Sequence, residues 1–195
     1  LAIIKTNTSL VLSHPDDTIK NQYKWINYIN LQTDRMSELI SEMLSLAKMD
    51  TAENKLPLSP INISKIVESM NLMFDAVIYE NNIELETNIN KNLIINGDKE
   101  SLKKLFSIIM DNAIKHTNKN GNITVSLFSD KNKVKMIIRN TGEGIAPEHL
   151  ERIFERFYRV DSSRDRETGG YGLGLSIASS IVKQHKGKIY AKSNI

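Results

Sequence analysis

Along the first fifty residues the apolar positions fall at helical spacings. Leu1, Ile4, Thr8, Val11 and Leu12 keep a helical period. "SHPDDT" then breaks it with Pro15 and offers a helix cap among Asp16, Asp17 and Thr18. A long helix is predicted from about Ile19 to Met49. Along it Ile29, Thr33, Met36, Ile40, Met43 and Ala47 recur at alternating steps of four and three, which is a heptad seam. A short helix, a turn and a longer heptad helix make an αα-hairpin. Such a hairpin cannot bury its seam alone, and pairing two copies into a homodimeric four-helix bundle would do so.

"DTAENKLPLSP" reads as a polar, proline-containing linker. The expected organisation is a hairpin over 1–50, a linker over 51–58 and a second domain over 59–195. In that domain the pattern alternates between periods. "SKIVESMNLMFDAVIYE" is helical, "IELETNI" alternates as a strand, and "LIING" is a short apolar strand. "DKESLKKLFSIIMDNAIKHT" is an amphipathic helix with Asp98 as its cap. "NITVSLFSD" and "KVKMIIRNT" are strands joined through Asp130, Lys131 and Asn132, a hairpin signal. "PEHLERIFERF" reads as a short helix, "YRVDSSRDRETGGYG" as a long polar loop, "LSIASSIVKQH" as a helix and "GKIYAKS" as a final strand. Adjacent strands paired antiparallel, with three helices over one face, give a two-layer α/β sandwich. The fold class is therefore α+β, a helical hairpin followed by that sandwich.

Composition narrows the function classes. The chain of 195 residues is 40% hydrophobic and 25% charged, ordinary for a globular protein. A net charge of +3 is too small to argue for a nucleic-acid partner or an anionic membrane surface. There is no cysteine, so disulfides and cysteine-ligated zinc are excluded. No apolar stretch approaches the roughly 20 residues of a membrane span, so no direct membrane contact is expected of these residues. The first residue is leucine and the first helix begins without a cap, as in a piece of a longer chain.

Four short stretches carry chemistry. In "MDNAIKHT" (110–117), Asn112 and Lys115 lie three apart on one side of a helix, and His116 follows about 100° further round. An amide oxygen can ligate Mg²⁺ and a lysine can meet a phosphate; a plain polar helix face would look the same. In "NTGEGIAP" (140–147), Gly142 and Gly144 permit a tight turn with close backbone approach, as would any strand-to-helix turn. In "IFERFYRVDSSR", Phe154 and Phe157 read as anchors, with Arg159 and Arg164 free to reach a phosphate or simply solvated. In "GGYGLGLSI", Gly170, Gly172 and Gly174 precede a helix from about Leu175. Glycine costs about 1 kcal/mol per residue there relative to alanine. Bare backbone N–H groups aimed at an anion in front of a helix N-terminus would justify that cost, and a flexible turn is the plainer alternative.

Taken in order, these stretches closely resemble the catalytic and ATP-binding domain of sensor histidine kinases, the Bergerat-type ATP fold shared with gyrase-like ATPases. "MDNAIKHT" resembles the N box, "NTGEGI" the first glycine box, "IFERFYR" the F box and "GGYGLGLSI" the second glycine box. The N-terminal hairpin is similar to that family's dimerisation and phosphotransfer domain. The resemblance implies ATP and Mg²⁺ as cofactors. It implies that Asn112 ligates the Mg²⁺ bridging the phosphates, that Lys115 touches a phosphate, and that His116 lies beside the ribose or adenine, where the family usually has tyrosine. Asn140 would face the adenine amino group. Arg159 and Arg164 would reach the phosphates from a lid, and backbone from Gly172 to Leu175 would receive the triphosphate. Gly142, Gly144, Ile145, Phe157, Tyr158, Gly170, Tyr171, Leu173 and Gly174 are the other nucleotide-binding positions implied. The implied activity is transfer of the ATP γ-phosphate to a histidine, then to an aspartate on a response regulator receiver domain. That regulator would dock on the hairpin near Leu1 to Leu12. The parent would be a membrane-anchored sensor and these residues its cytoplasmic portion.

Three departures bear on that reading. The family's adenine-reading aspartate is replaced by Asn140, whose amide oxygen can still accept from the adenine amine. Four residues before Asn112, where the family often has another asparagine and gyrase-like ATPases a water-activating glutamate, stands Ile108. Isoleucine cannot act as a base, which argues against a hydrolase. The "HE-x-x-TP"-like acceptor segment would lie upstream of Leu1, the usual last strand beyond Ile195, and none of His14, His116, His149 or His185 fits the acceptor role. These residues alone are thus expected to bind Mg-ATP without autophosphorylating. The alternative from another class is a degenerate nucleotide-binding dimerisation scaffold.

Overall fold

The protein is described by a computed structural model covering residues 1–50, 56–160 and 171–194. It divides into two compact units, Leu1–Ala47 and Lys48–Ile195. Residues 51–55 of the expected linker and 161–170 of the expected polar loop lie outside the described residues.

The first unit is the expected hairpin. Helix α1 spans Ala2–Leu12 and α2 spans Ile19–Asp50. Thr18 is the capping residue: its side-chain oxygen accepts the Asn21 N–H at 3.4 Å. The turn is held by Gln22, a buried side chain whose amide donates to the carbonyls of Val11 and His14. Of the predicted seam, Ile29 and Met36 are half-buried, whereas Thr33, Ile40, Met43 and Ala47 are exposed. The more buried stripe of α2 runs along a neighbouring face, through Gln32, Met36, Leu39 and Leu46, the last of them 3% exposed.

The second unit is the α/β sandwich. Strand β1 (Ser59–Asn62) pairs antiparallel with β3 (Ile94–Gly97) in a two-stranded sheet. Helix α3 (Ile63–Glu80) starts at Asn62, whose side chain accepts the Lys65 N–H at 3.1 Å. Strand β2 (Glu84–Ile89), β4 (Asn122–Asp130) and β5 (Lys133–Asn140) form a second sheet in the order β2-β4-β5. Helix α4 (Lys99–Lys115) lies between β3 and β4, and α5 (Gly174–Gln184) follows the glycine-rich stretch.

The sheets correct the expectation that adjacent strands all pair antiparallel. β4 and β5 do, through a turn in which Lys131 and Asn132 both have positive φ (47° and 62°), the geometry whose twist suits a two-residue hairpin. β2 and β4 are parallel. Between them the chain makes β3 and α4, and a crossover of that length returns it to the starting end of the sheet. β1, four residues next to the linker, carries no alternation that the sequence could announce.

Two further expectations change. "PEHLERIFERF" forms two short 3-10 turns, Pro147–His149 and Arg152–Phe154, rather than one helix, and Glu155 ends the second by turning extended with ψ near 150°. Residues 188–194 show the alternating burial of a strand, with Ile189, Ala191 and Ser193 turned in, but no ladder hydrogen bond among the described residues. The Ser193 hydroxyl accepts the Ile145 N–H at 2.8 Å. Period two thus fixed which side chains face inward and left the backbone pairing unmade.

The core sits between the β2-β4-β5 sheet and the helices. Ile123, Val125 and Leu127 alternate along the central strand at 0% exposure, and Phe106, Met110, Leu173, Ile177 and Ile181 meet the same standard to within 1%. α4 and α5 are thereby fixed on a rigid sheet, which places the ends of both helices.

Candidate functional site

α4 is the first support of the site. Asp98 caps it, accepting the Ser101 N–H at 2.8 Å, and Glu100 and Lys115 complement the helix dipole at its two ends. The hydrogen bonds from Ser101 hold the Asp98 carboxyl below its ordinary range, against a smaller opposing effect of burial. The start of α4 is tied to the end of α5. The Asp98 N–H donates to His185 Nε2 at 3.0 Å, while His185 Nδ1 donates to the Ile181 carbonyl at 2.8 Å. Both ring nitrogens are therefore engaged, Nε2 by the start of α4 and Nδ1 by the last turn of α5.

The buried row Leu102, Leu105, Phe106, Met110 and Ala113 turns the other flanks of α4 outward. Ile108 lies against α5: a Cβ added at Gly174 would sit 3.4 Å from the Ile108 side chain. Asn112, half-buried, is one turn further along the flank that Ile108 occupies, and so points along the side where α5 begins. Lys115 is exposed beside Asp111, whose carboxyl is pushed up by desolvation and partly drawn back by Lys115.

The C-terminal end of α4 meets the end of β5. His116 is the C-cap, and the Thr117 hydroxyl donates to the Ala113 carbonyl at 2.6 Å. The Asn140 amide nitrogen donates to the carbonyls of His116 (3.3 Å) and Thr141 (3.2 Å). With its N–H groups committed to two carbonyls, the side chain presents Oδ1 as its outward acceptor. Gly142 is dictated by the same junction, since any Cβ there would overlap the His116 carbonyl oxygen. Gly144 takes φ +83°, and Ile145 is half-buried and held by Ser193.

The third part is the approach to α5. Gly172 has φ +71°, and a Cβ on it would lie 2.8 Å from the Tyr158 carbonyl oxygen and 2.9 Å from the Phe157 carbonyl carbon. The Phe157 N–H donates to the Gly172 carbonyl at 3.0 Å. Leu173 occupies the N-cap of α5 and provides no side-chain acceptor to its first turn, so the N–H groups of that turn are left to another acceptor. The Ser176 hydroxyl is turned away, donating to the Leu173 carbonyl at 2.8 Å.

The sequence-predicted residues thus fall into three groups that the fold assembles: Asn112 beside the start of α5, His116 with Asn140 and Gly142, and Phe157 and Tyr158 with Gly172. Tyr171, Gly174 and Leu175 are half-buried around the α5 start, and Arg159 is half-buried after Tyr158. Arg164 and Gly170 lie outside the described residues. The anchor reading of Phe157 is corrected: its side chain is 58% exposed and its backbone has φ +63°. What the structure uses at Phe157 is its N–H, in a left-handed conformation that costs a non-glycine residue about 1–2 kcal/mol. Tyr158 makes contacts that the sequence did not announce. Its hydroxyl shares a 2.6 Å hydrogen bond with His149 Nδ1, and the Arg152 guanidinium lies 4.1 Å over its ring. His149 and Arg152 precede it on separate 3-10 turns, and His185 meets Asp98 across 87 residues. No local periodicity signals contacts of these kinds.

Residues 97–195, just over half of the chain, match the family model described as Histidine kinase-, DNA gyrase B-, and HSP90-like ATPase. The chain belongs to this family. Its relatives place its ATPase domain with the two-component sensor histidine kinases. The chain is 34% identical over 190 residues to the sensor histidine kinase CusS of Escherichia coli O157:H7, covering 97% of this chain and 39% of that protein. It is 36% identical over 168 residues to the sensor histidine kinase YkoH of Bacillus subtilis, covering 86% and 36%. The chain spans about two fifths of the length of the curated relatives it matches. Among solved structures it resembles histidine kinase ThkA in its complex with the response regulator protein TrrA, with a TM-score of 0.72, 24% identity and coverage of 96% and 53%. The family assignment is to an ATPase fold, and the chain's own geometry fits a nucleotide. The backbone at Gly142 and Gly172 leaves room that a side chain would fill, and Asn140 offers an acceptor at the helix–strand junction. Among the described residues no group of three or more His, Cys, Asp or Glu could hold a metal ion. A Mg²⁺ here would take one oxygen from Asn112 and the rest from phosphates and water, as this ion commonly does. Among the described residues no helix is long and apolar enough to cross a membrane.

Proposed function

We propose that this chain is the nucleotide-binding core of a two-component sensor histidine kinase, and that it binds Mg-ATP between the end of α4 and the start of α5. The observation that carries this reading is the α5 N-terminus. It opens behind Gly172 without a side-chain acceptor, on the flank of α4 that bears Asn112. Bound Mg-ATP supplies the phosphoryl group. The chain's residues position it: Asn112 holds the metal, the first turn of α5 receives phosphate oxygens, Lys115 and Arg159 add positive charge, and Asn140 Oδ1 accepts from the adenine amine. Such positioning and charge stabilisation is most of what phosphoryl transfer asks of a protein. Ile108 keeps a water-activating base out of the site, which favours transfer to an acceptor over hydrolysis.

In the intact protein the acceptor is a histidine outside these residues and the next acceptor an aspartate of a response regulator. His14, His149 and His185 support that placement by being committed elsewhere. His14 bonds to Leu10 and stacks 5.5 Å from Trp25, while His149 and His185 hold Tyr158 and Asp98. The hairpin forms the homodimer interface, supported by exposed Ile40, Met43 and Leu44 along α2. The parent is a membrane-anchored sensor whose cytoplasmic part includes this chain.

Calorimetric titration with ATP and GTP, with and without Mg²⁺, tests the reading. Magnesium-dependent ATP binding that is lost in Asn112→Ala and weaker for GTP is the expected result. No binding under any condition would overturn it in favour of a dimerisation scaffold. Phosphorylation of this chain itself at any of its four histidines would overturn the placement of the acceptor.

A further inference from the structure

Phe157 poses a physical question. It adopts a left-handed backbone at φ +63°, yet its ring is 58% exposed and gains little burial in return. A strained residue of this kind persists only where its surroundings fix it. Two contacts do so. On one side its N–H donates to the Gly172 carbonyl at 3.0 Å, and Gly172, itself at φ +71°, packs its bare Cα against the Phe157 and Tyr158 backbone. On the other side the next residue is clamped. The Tyr158 hydroxyl shares a 2.6 Å hydrogen bond with His149 Nδ1, and its ring lies 4.1 Å under the Arg152 guanidinium. Arg152 is steadied by Glu155, 3.7 Å away. Leu173, which follows Gly172, is fully buried at the N-cap of α5. The backbone clasp between Phe157 and Gly172 therefore joins the start of α5 to the two 3-10 turns, and the side-chain clamp on Tyr158 keeps its far jaw in place.

We propose that His149 and Tyr158 form a positioning pair: their hydrogen bond, roofed by Arg152, holds the Phe157–Gly172 clasp and thereby sets the α5 N-terminus for the phosphates of the nucleotide. This rests on the reading of the site as nucleotide-binding. It gives Tyr158 a different task from that of a nucleotide ligand, since its hydroxyl and one ring face are already engaged by protein groups. It also gives His149, outside all four motifs, a part in nucleotide binding.

The test measures ATP affinity and amide exchange together in this chain. Tyr158→Phe keeps the ring and the Arg152 stack but removes the hydroxyl. His149→Ala removes the partner. Each is expected to weaken Mg-ATP binding about threefold to tenfold, the effect of one lost net hydrogen bond. The double variant should be no weaker than either single one, because the two residues act through one bond. His149→Asn, which places an acceptor near the former Nδ1, should recover most of the affinity. Without nucleotide, the Phe157 amide should exchange faster in Tyr158→Phe and His149→Ala than in the parent, while the Ile177 amide keeps its protection. Unchanged affinity in both variants, or additive losses in the double variant, overturns the pair. Loss of Ile177 protection along with Phe157 would reduce it to general stability and overturn it too. A parent chain that binds no ATP overturns the nucleotide reading itself, and the pair's role with it.

Discussion

The hairpin and the sandwich solve the burial problem differently. Both have clear apolar periodicity in sequence. In the sandwich a central strand with three side chains at 0% exposure is closed over by α4 and α5 within one chain. In the hairpin α1 has no buried residue, and Ile40, Met43 and Leu44 stay 49–58% exposed. A periodic pattern thus says that a face wants covering, and does not say what covers it. The sandwich supplies its own cover, and the hairpin leaves a seam long enough for a second copy.

The largest effect that would sharpen this contrast is in the sandwich. Phe106→Ala, at a position 1% exposed, should cost about 3–5 kcal/mol by denaturant unfolding, whatever the protein concentration. Met43→Asp, in contrast, should leave the sandwich transition in place and turn a dimer into a monomer in sedimentation. Equal dimer content in that variant would break the seam argument. Next in size is Gly172→Ala, which meets both a positive φ and a close carbonyl. It should lower stability by about 1–2 kcal/mol and weaken ATP binding more than Gly174→Ala, where only the Ile108 side chain must give.

Smaller still are the two carboxylates of α4, which pull in opposite directions. Asp98 has its folded pKa lowered, so its contribution is present above the unfolded value and lost as pH falls through the folded one. Asp98→Asn keeps a capping oxygen and loses the charge at the helix N-terminus, so it should cost about 0.3–1 kcal/mol at pH 7 and little in acid, read from melting temperatures. Asp111 has its folded pKa raised by desolvation, so its ionised form is disfavoured in the folded state. Asp111→Asn should raise the melting temperature slightly at pH 7, within about 0.5 kcal/mol, and have no effect below the ordinary carboxylate range. The smallest change is Asn140→Asp, which keeps the acceptor and adds charge. It should widen the preference for ATP over GTP in competition binding.

How much of this was legible depended on distance along the chain. The helix α4 carries its own cap and period, and the β4–β5 turn its own residues, so Asp98 and the turn at Lys131–Asn132 can be read locally. The parts proposed for the site can be read in order along the chain because each is a few contiguous residues. What stayed hidden was non-local. The parallel pairing of β2 with β4, the Asp98–His185 bond and the clamp on Tyr158 all join segments whose partners no window contains. The final stretch shows the complementary failure. "GKIYAKS" is expected to be a strand; Ile189, Ala191 and Ser193 do turn in, but the backbone makes no ladder among the described residues, because side-chain period and backbone pairing are separate facts.

The parallel pair has a kinetic consequence. β4 can zip to β5 at once through a two-residue turn, a microsecond event for an isolated hairpin. β2 meets β4 with Glu84 opposite Asn122, so closing that register must gather a chain segment of 38 residues and wait for α4 to be laid down. During synthesis, β2 leaves the ribosome early and stays unpaired until the second half of the sandwich follows it. For that interval its free edge is open to any other strand.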